Sequence, residues 1–302
     1  MSVGLSPNDA AELASNAGLF SPFVEFGFMR RALAGCLALS LGATPIGVFL
    51  ILRRMSLAGD ALAHAVLPGA AMAYLVAGLS LSAMTLGGAV AGLLVALLAG
   101  TVSRNSALKE DASLAAFYLI SLSGGVLLIS LRGSSVDLLH VLFGSILALD
   151  DDALFLIASF STITVLVMAA GFRLLVLECV DPAYLRTVSR ASPLTHYGFL
   201  VIVVLNLVAG FHALGTLMAV GIMILPAATA RFWVSSIGQM TGLAVLIAMA
   251  GSVSGLLASY HLNLPAGPAI VLSLGLAYLV SLVAAPGGPL RSRMRPRWHF
   301  KT

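Results

Sequence analysis

Asp60 and His64 stand four residues apart in the run SLAGDALAHAVLPG (residues 56–69). At that spacing both side chains stack on one face of a helix. A carboxylate oxygen and an imidazole nitrogen placed in this way can reach one divalent metal ion together. The surrounding residues are apolar or small, and Asp60 is the one acidic residue of 12 that falls within a predicted membrane span. A carboxylate at mid-membrane costs about 2.5–3.5 kcal/mol on insertion scales, so it faces a cavity, a pathway or a partner. The competing structural reading has Asp60 capping its helix and His64 bonding a neighbouring helix.

A second constellation opens the hydrophilic stretch DPAYLRTVSR (residues 181–190). Asp181 as N-cap and Pro182 at the first helical position make a helix start. The short helix, with Tyr184 in its first turn, either docks into a partner protein or lies solvated. Pro68 and Pro226 each remove a backbone hydrogen bond inside an apolar run, where a kink can expose carbonyls. His140, His196, His212, His261 and His299 are isolated in sequence and read as structural hydrogen-bonding residues. Asp150, Asp151 and Asp152 precede a span and suit its capping and dipole. Cys36 and Cys179 are too few for a disulfide framework or a zinc site.

The elements that must position these residues follow from composition. Charged side chains make up 9% of the 302 residues and hydrophobic ones 60%, with a mean hydropathy of +1.05. A soluble domain carries roughly 25% charged residues. The composition therefore excludes a soluble globular enzyme, a disordered chain and a nucleic-acid-binding domain. It leaves an all-α, polytopic integral membrane bundle, because a transmembrane barrel would alternate polar and apolar residues.

Spans of about 20 apolar residues are predicted at 32–52, 57–79, 83–102, 112–131, 153–172, 194–211, 213–231, 237–258 and 266–285, a count of about eight to nine. The segment 136–149 is apolar but short, as a re-entrant or gating helix would be. With the N-terminus outside and the C-terminus inside, the inside holds 13 of the 16 basic residues. Only Arg30, Arg31 and Arg132 remain outside, as the positive-inside rule requires. Residues 1–27 read as a surface-lying segment rather than a signal peptide. Residues 28–285 form the transmembrane domain, and the basic tail 286–302 meets anionic lipid in the cytoplasm. The pairs Gly88/Gly92 and Gly251/Gly255 and the alanines of the second span predict close helix packing.

Absences narrow the function. The chain has no G-x-x-x-x-G-K-[ST] phosphate loop, no H-E-x-x-H zinc-protease signature and no G-x-S-x-G elbow,. Two other classes stay open on the residues alone. One is an intramembrane enzyme using Asp60 and His64 as acid and base. The other is a non-transporting scaffold or sensor.

Four stretches carry a family likeness: FMRRAL (28–33), VFLILRRMSLAGDALAHAVLPG (48–69), LLHVLFGSILAL (138–149) and LGTLMAVGIMILPAATARF (214–232), followed by LNLPAGPAIVL (262–272). Through them the chain resembles the permease subunits of zinc/manganese-type metal-ion ABC transporters, from about residue 28 to 285. The resemblance implies a multi-pass protein of the cell membrane whose fold is similar to that of the cobalamin and siderophore importers. It implies a homodimeric permease that imports zinc, manganese or iron(II) as cargo and holds no prosthetic group. It also implies a separate ATP-binding cassette ATPase chain and an extracytoplasmic metal-binding protein. Asp60 and His64 match the family motif G-D-A-x-x-H-A and so look like metal contacts on a dimer-interface path, with His212 a candidate third ligand. Asp181 and Pro182 match the start of the cytoplasmic segment that presses on the ATPase, and Tyr184 lies in it. The continuation YLRTVSRAS departs from the family's Ala-rich, Gly-ended pattern.

Overall fold

The computed structural model describes residues 18, 20–78, 80–131 and 149–287. Ten helices follow in order: α1 (Gly27–Leu52), α2 (Ala58–Ala77), α3 (Leu81–Asn105), α4 (Glu110–Leu131), α5 (Asp151–Val180), α6 (Pro182–Val188), α7 (Ser192–Leu214), α8 (Thr216–Arg231), α9 (Ile237–Leu262) and α10 (Ala266–Ala284). The described residues form no strands, as the composition requires. Each of the nine predicted spans falls on one of these helices. Seven are long and apolar enough to cross a membrane; α4 and α8 underlie the other two predicted spans.

Local signals set the boundaries. The Asp150 carboxylate accepts the Ala153 N–H at 2.8 Å and starts α5, with Asp151 and Asp152 in the first turn, where the helix dipole favours anions. Ser80 caps α3 through Ala83 N–H. Gly215, at φ +84°, ends α7 and starts α8. That backbone conformation is open to glycine and costly for other residues. The break leaves α8 with 16 residues, a rise of about 24 Å. A hydropathy window merges residues 213–231 into one full span; the helix falls short of the ~30 Å hydrocarbon core. α5 departs in the other direction. Its predicted span stops at Arg173, but the helix runs 30 residues to Val180 because LLVLE are helix formers and Asp181-Pro182 supplies the stop.

α1 is the central helix and packs on α5, α7, α8 and α9. On one side α2, α3 and α4 form a group; on the other α8, α9 and α10 do. α2 and α3 make the most extensive contact of the molecule, while α1 and α2, consecutive in the chain, barely touch. The chain turns between them at Arg54, which has φ +59°. Small residues permit the tight crossings. A side chain at Gly69 would collide with the backbone of Gly87, and one at Gly87 with that of Gly69. The pairs read from sequence also lie at interfaces. Gly88 and Gly92 meet Val66 of α2, while Gly251 and Gly255 meet Leu274 and Ile270 of α10. Lipid supplies no hydrophobic drive between helices, so such backbone approach holds the groups together.

The charge topology has a structural counterpart. Arg53, Arg54, Arg104, Lys109 and Arg186, all assigned inside by the charge count, line a single cleft. The segment 136–149 with His140, apart from Leu149, most of the segment 1–27, Arg132, and nearly all of the tail 286–302 with His299 lie outside the described residues.

Candidate functional site

α2 carries Asp60 and His64. Leu57 is its N-cap and makes no side-chain cap bond, so Asp60 sits inside the first turn and does not cap the helix. This removes the capping reading. The four-residue spacing brings His64 Nε2 to 3.7 Å from Asp60 Oδ1, too long for a hydrogen bond. Their side chains are 32% and 63% exposed, respectively. Two donor groups on one apolar helix are therefore close, not locked to each other, and open to a third participant. The His64 ring lies 6.3 Å from that of Tyr118 on α4, tilted by 32°.

A cavity of about 440 Å³ opens beside Asp60, lined by Leu57, Asp60, Ala61, Asp111, Ala112, Ala115 and Tyr118. Asp111, in the first turn of α4, went unnoticed in the sequence because it precedes the apolar run. Its buried Oδ1 has no hydrogen-bond partner among the described residues. Among these residues no three His, Cys, Asp or Glu side chains come together to hold a metal. One copy of the chain therefore offers Asp60 and His64 as a pair. The His212 side chain lies outside the described residues.

The short helix α6 has the start its sequence predicts. Asp181 Oδ1 accepts the Tyr184 N–H at 2.8 Å, and Pro182 occupies the first turn. Leu185 is buried, which seats α6 on α5 and α7. Tyr184 is exposed. α6 thus presents a free outer face at the same end of the bundle as the basic cleft, which Pro182 and Arg186 help to line.

The walls of that cleft include a largely buried charge cluster that the sequence does not announce. Arg53, at the end of α1, points Nη2 at His196 Nδ1 of α7 at 2.7 Å and lies 3.7 Å from Glu110 Oε2 of α4. Arginine can only donate, so Nδ1 accepts and the imidazole carries its proton on Nε2. That nitrogen lies 3.4 Å from Glu110 Oε1. Arg104 of α3 reaches Glu178 of α5 at 3.7 Å and donates to Ser192 Oγ at 3.4 Å. Ser192 in turn donates to Glu178 Oε2 at 3.2 Å. The Arg53 guanidinium lies 5.0 Å from the centre of the Phe199 ring, within cation–π range. The Glu178 side chain is 2% exposed and that of Arg53 9%.

The one sequence signal for this cluster is Glu178 in the apolar frame LLVLECV, which the hydropathy window assigns to a loop. His196 reads as a structural hydrogen-bonding residue, and its burial inside the cluster agrees.

The family model for the ABC 3 transport family matches residues 25–285. ScaB, the manganese import system permease protein of Streptococcus parasanguinis, is 35% identical over 262 residues, which are 87% of this chain and 92% of ScaB. The chelated iron transport system membrane protein YfeD of Yersinia pestis is 30% identical over 278 residues, 91% of each chain. Among solved structures, a chain of PsaBC from Streptococcus pneumoniae in complex with a Fab superposes with TM-score 0.78 and 32% identity. The match covers 92% of this chain and 99% of that one. An inward-facing structure described as a metal-chelate type ABC transporter shares the fold, with TM-score 0.67 and 14% identity over 93% of this chain and 91% of that chain. The all-α bundle, the membrane location and the permease likeness read from residues 28–285 thus stand, and the chain belongs to the ABC 3 transport family as a multi-pass permease subunit of the cell membrane.

Proposed function

We propose that this permease imports a divalent transition-metal ion, manganese or iron(II), past a site that includes Asp60 and His64. The observation that carries the reading is the pair itself. A carboxylate and an imidazole lie 3.7 Å apart, the first exposed and the second partly so, on a helix that is otherwise apolar or small. Oxygen and imidazole donors suit manganese, iron(II) and zinc alike. The relatives named for manganese and for chelated iron favour the first two as cargo, with zinc as the competitor to be measured.

A pair of side chains leaves most of a metal's coordination positions to other donors. A second copy of the chain facing the first across α2 would bring two more, and a homodimer with a shared path follows from that need. Met72 and Val76, exposed further along α2, are an apolar surface for such a contact. With no phosphate loop in the chain, energy comes from a separate ATP-binding cassette ATPase. That partner docks on α6 through the segment holding Asp181, Pro182 and Tyr184. An extracytoplasmic metal-binding protein delivers the ion from outside.

The test is reconstitution of the complex in liposomes and uptake of radiolabelled Mn(II) and Fe(II), with Zn(II) as competitor. Asp60→Asn and His64→Ala should abolish uptake while leaving protein level and assembly unchanged. Wild-type uptake in both variants would overturn the site. For docking, Asp181→Ala and Tyr184→Ala should reduce transport-stimulated ATP hydrolysis. Normal stimulation in both would remove α6 from the account.

A further inference from the structure

The buried charges at the cytoplasmic end form a continuous chain of contacts, and it has a direction. It begins at Glu178, three residues before Asp181, the N-cap of α6. It passes to Arg104 on α3 and Ser192 on α7, and His196, one turn further along α7, touches Glu178 at 3.8 Å. From His196 it reaches Arg53 and Glu110. Arg53 stands at the corner from which α2 departs towards Asp60. Glu110 is the neighbour of Asp111, which lines the cavity beside Asp60. No step exceeds 3.8 Å, and the cluster joins the cytoplasmic ends of α1, α3, α4, α5 and α7.

Stability alone is a poor reason for such a cluster. Removing several charges from water is expensive, and well-packed apolar residues of similar volume often serve as well or better. What charged partners add is a discrete geometry. They are paired in a small number of arrangements, so a displacement of one helix end is passed on or resisted instead of being absorbed.

We infer that Glu178, Arg104, Ser192, His196, Arg53 and Glu110 are positioning residues that relay movement of α6 to the cytoplasmic ends of α2 and α4, and so to the metal site. The proposal rests on the reading of α6 as the ATPase-facing helix. The relay lets ATP-driven displacement of α6 set the spacing of α2 and α4 around the cavity beside Asp60. A relay that is loosened lets the ATPase turn over without moving the ion.

The readout is therefore a ratio, ATP hydrolysed per Mn(II) transported, measured on the reconstituted permease–ATPase complex. Ser192→Ala and Arg53→Lys keep every charge and remove bonds within the chain. Each should raise the ratio threefold or more, with hydrolysis within twofold of wild type. Arg104→Glu and Glu178→Arg should each raise it further, and the double reversal Arg104→Glu/Glu178→Arg should bring it back towards wild type. Parallel loss of hydrolysis and uptake, with the ratio unchanged, would assign the cluster to structure and overturn the proposal. So would an unchanged ratio in Ser192→Ala and Arg53→Lys. Asp181→Ala and Tyr184→Ala run alongside. If they raise the ratio and the cluster variants do not, the relay fails alone. If they leave both the stimulated hydrolysis and the ratio unchanged, the docking reading of α6 fails first.

Discussion

Two sets of charged residues lie within this apolar chain, and they are built in opposite ways. Asp60 and His64 on α2 are open, with the carboxylate 63% exposed and no hydrogen bond between them. The cluster around Glu178 is closed: Glu178 is 2% exposed and is held by Arg104 and Ser192. The open pair is not locked together, and under the proposed function an arriving ion completes it. The closed cluster pairs its charges with one another within the chain. The difference separates binding from positioning, and each side of it responds differently to substitution.

The largest contrast is expected at Asp60. Asp60→Asn preserves shape in an exposed position, so metal uptake should fall a hundredfold or more while the thermal midpoint in detergent stays put. A shift of several degrees would mean that Asp60 is structural and would collapse the contrast. Next is Glu178→Leu, which leaves Arg104 buried without its partner. Breaking a buried pair in this way costs about 3–5 kcal/mol, and denaturation followed by tryptophan fluorescence should register it. No loss of stability would show the cluster to be as open as the pair.

Asp181→Ala removes the N-cap of α6, worth about 1 kcal/mol. Hydrogen exchange should show fraying confined to residues 182–188, with transport weakened more than stability. The smallest effect belongs to Arg31→Ala. Its contact with Asp151 is 3.4 Å long, but the side chains are 44% and 84% exposed. An exposed pair contributes about 0–1 kcal/mol, so melting and uptake should both match wild type. A clear loss would place this pair with the closed cluster.

The same contrast explains what was legible in the sequence. Asp60 and His64 are a local pattern: four residues of helix bring them together, and the apolar frame makes them conspicuous. The α6 start at Asp181-Pro182 is equally local. The cluster draws on positions 53, 104, 110, 178 and 196, which share no period and meet only once five helices have packed. Glu178 was hidden for a further reason. A hydropathy window ends a span at its first charge, here Arg173, whereas the helix continues for as long as its residues favour it. At 213–231 the break between spans is predicted a few residues early, because apolar composition does not show that Ala213 and Leu214 still belong to α7 and that Gly215 makes the turn. Window composition reports burial in lipid; backbone conformation at one glycine and capping at one aspartate decide where helices stop.

The crossing of α2 over α3 at Gly69 and Gly87 has a mechanical consequence. Backbones that meet without side chains between them are interlocked. A slip of one turn would put a bulkier residue where only hydrogen fits,. α2 cannot ratchet along α3 as helices with deep side-chain layers can. A push delivered to the end of either helix must be shared by both, so the helix that carries Asp60 and His64 travels as part of a stiff plate and not as a free rod.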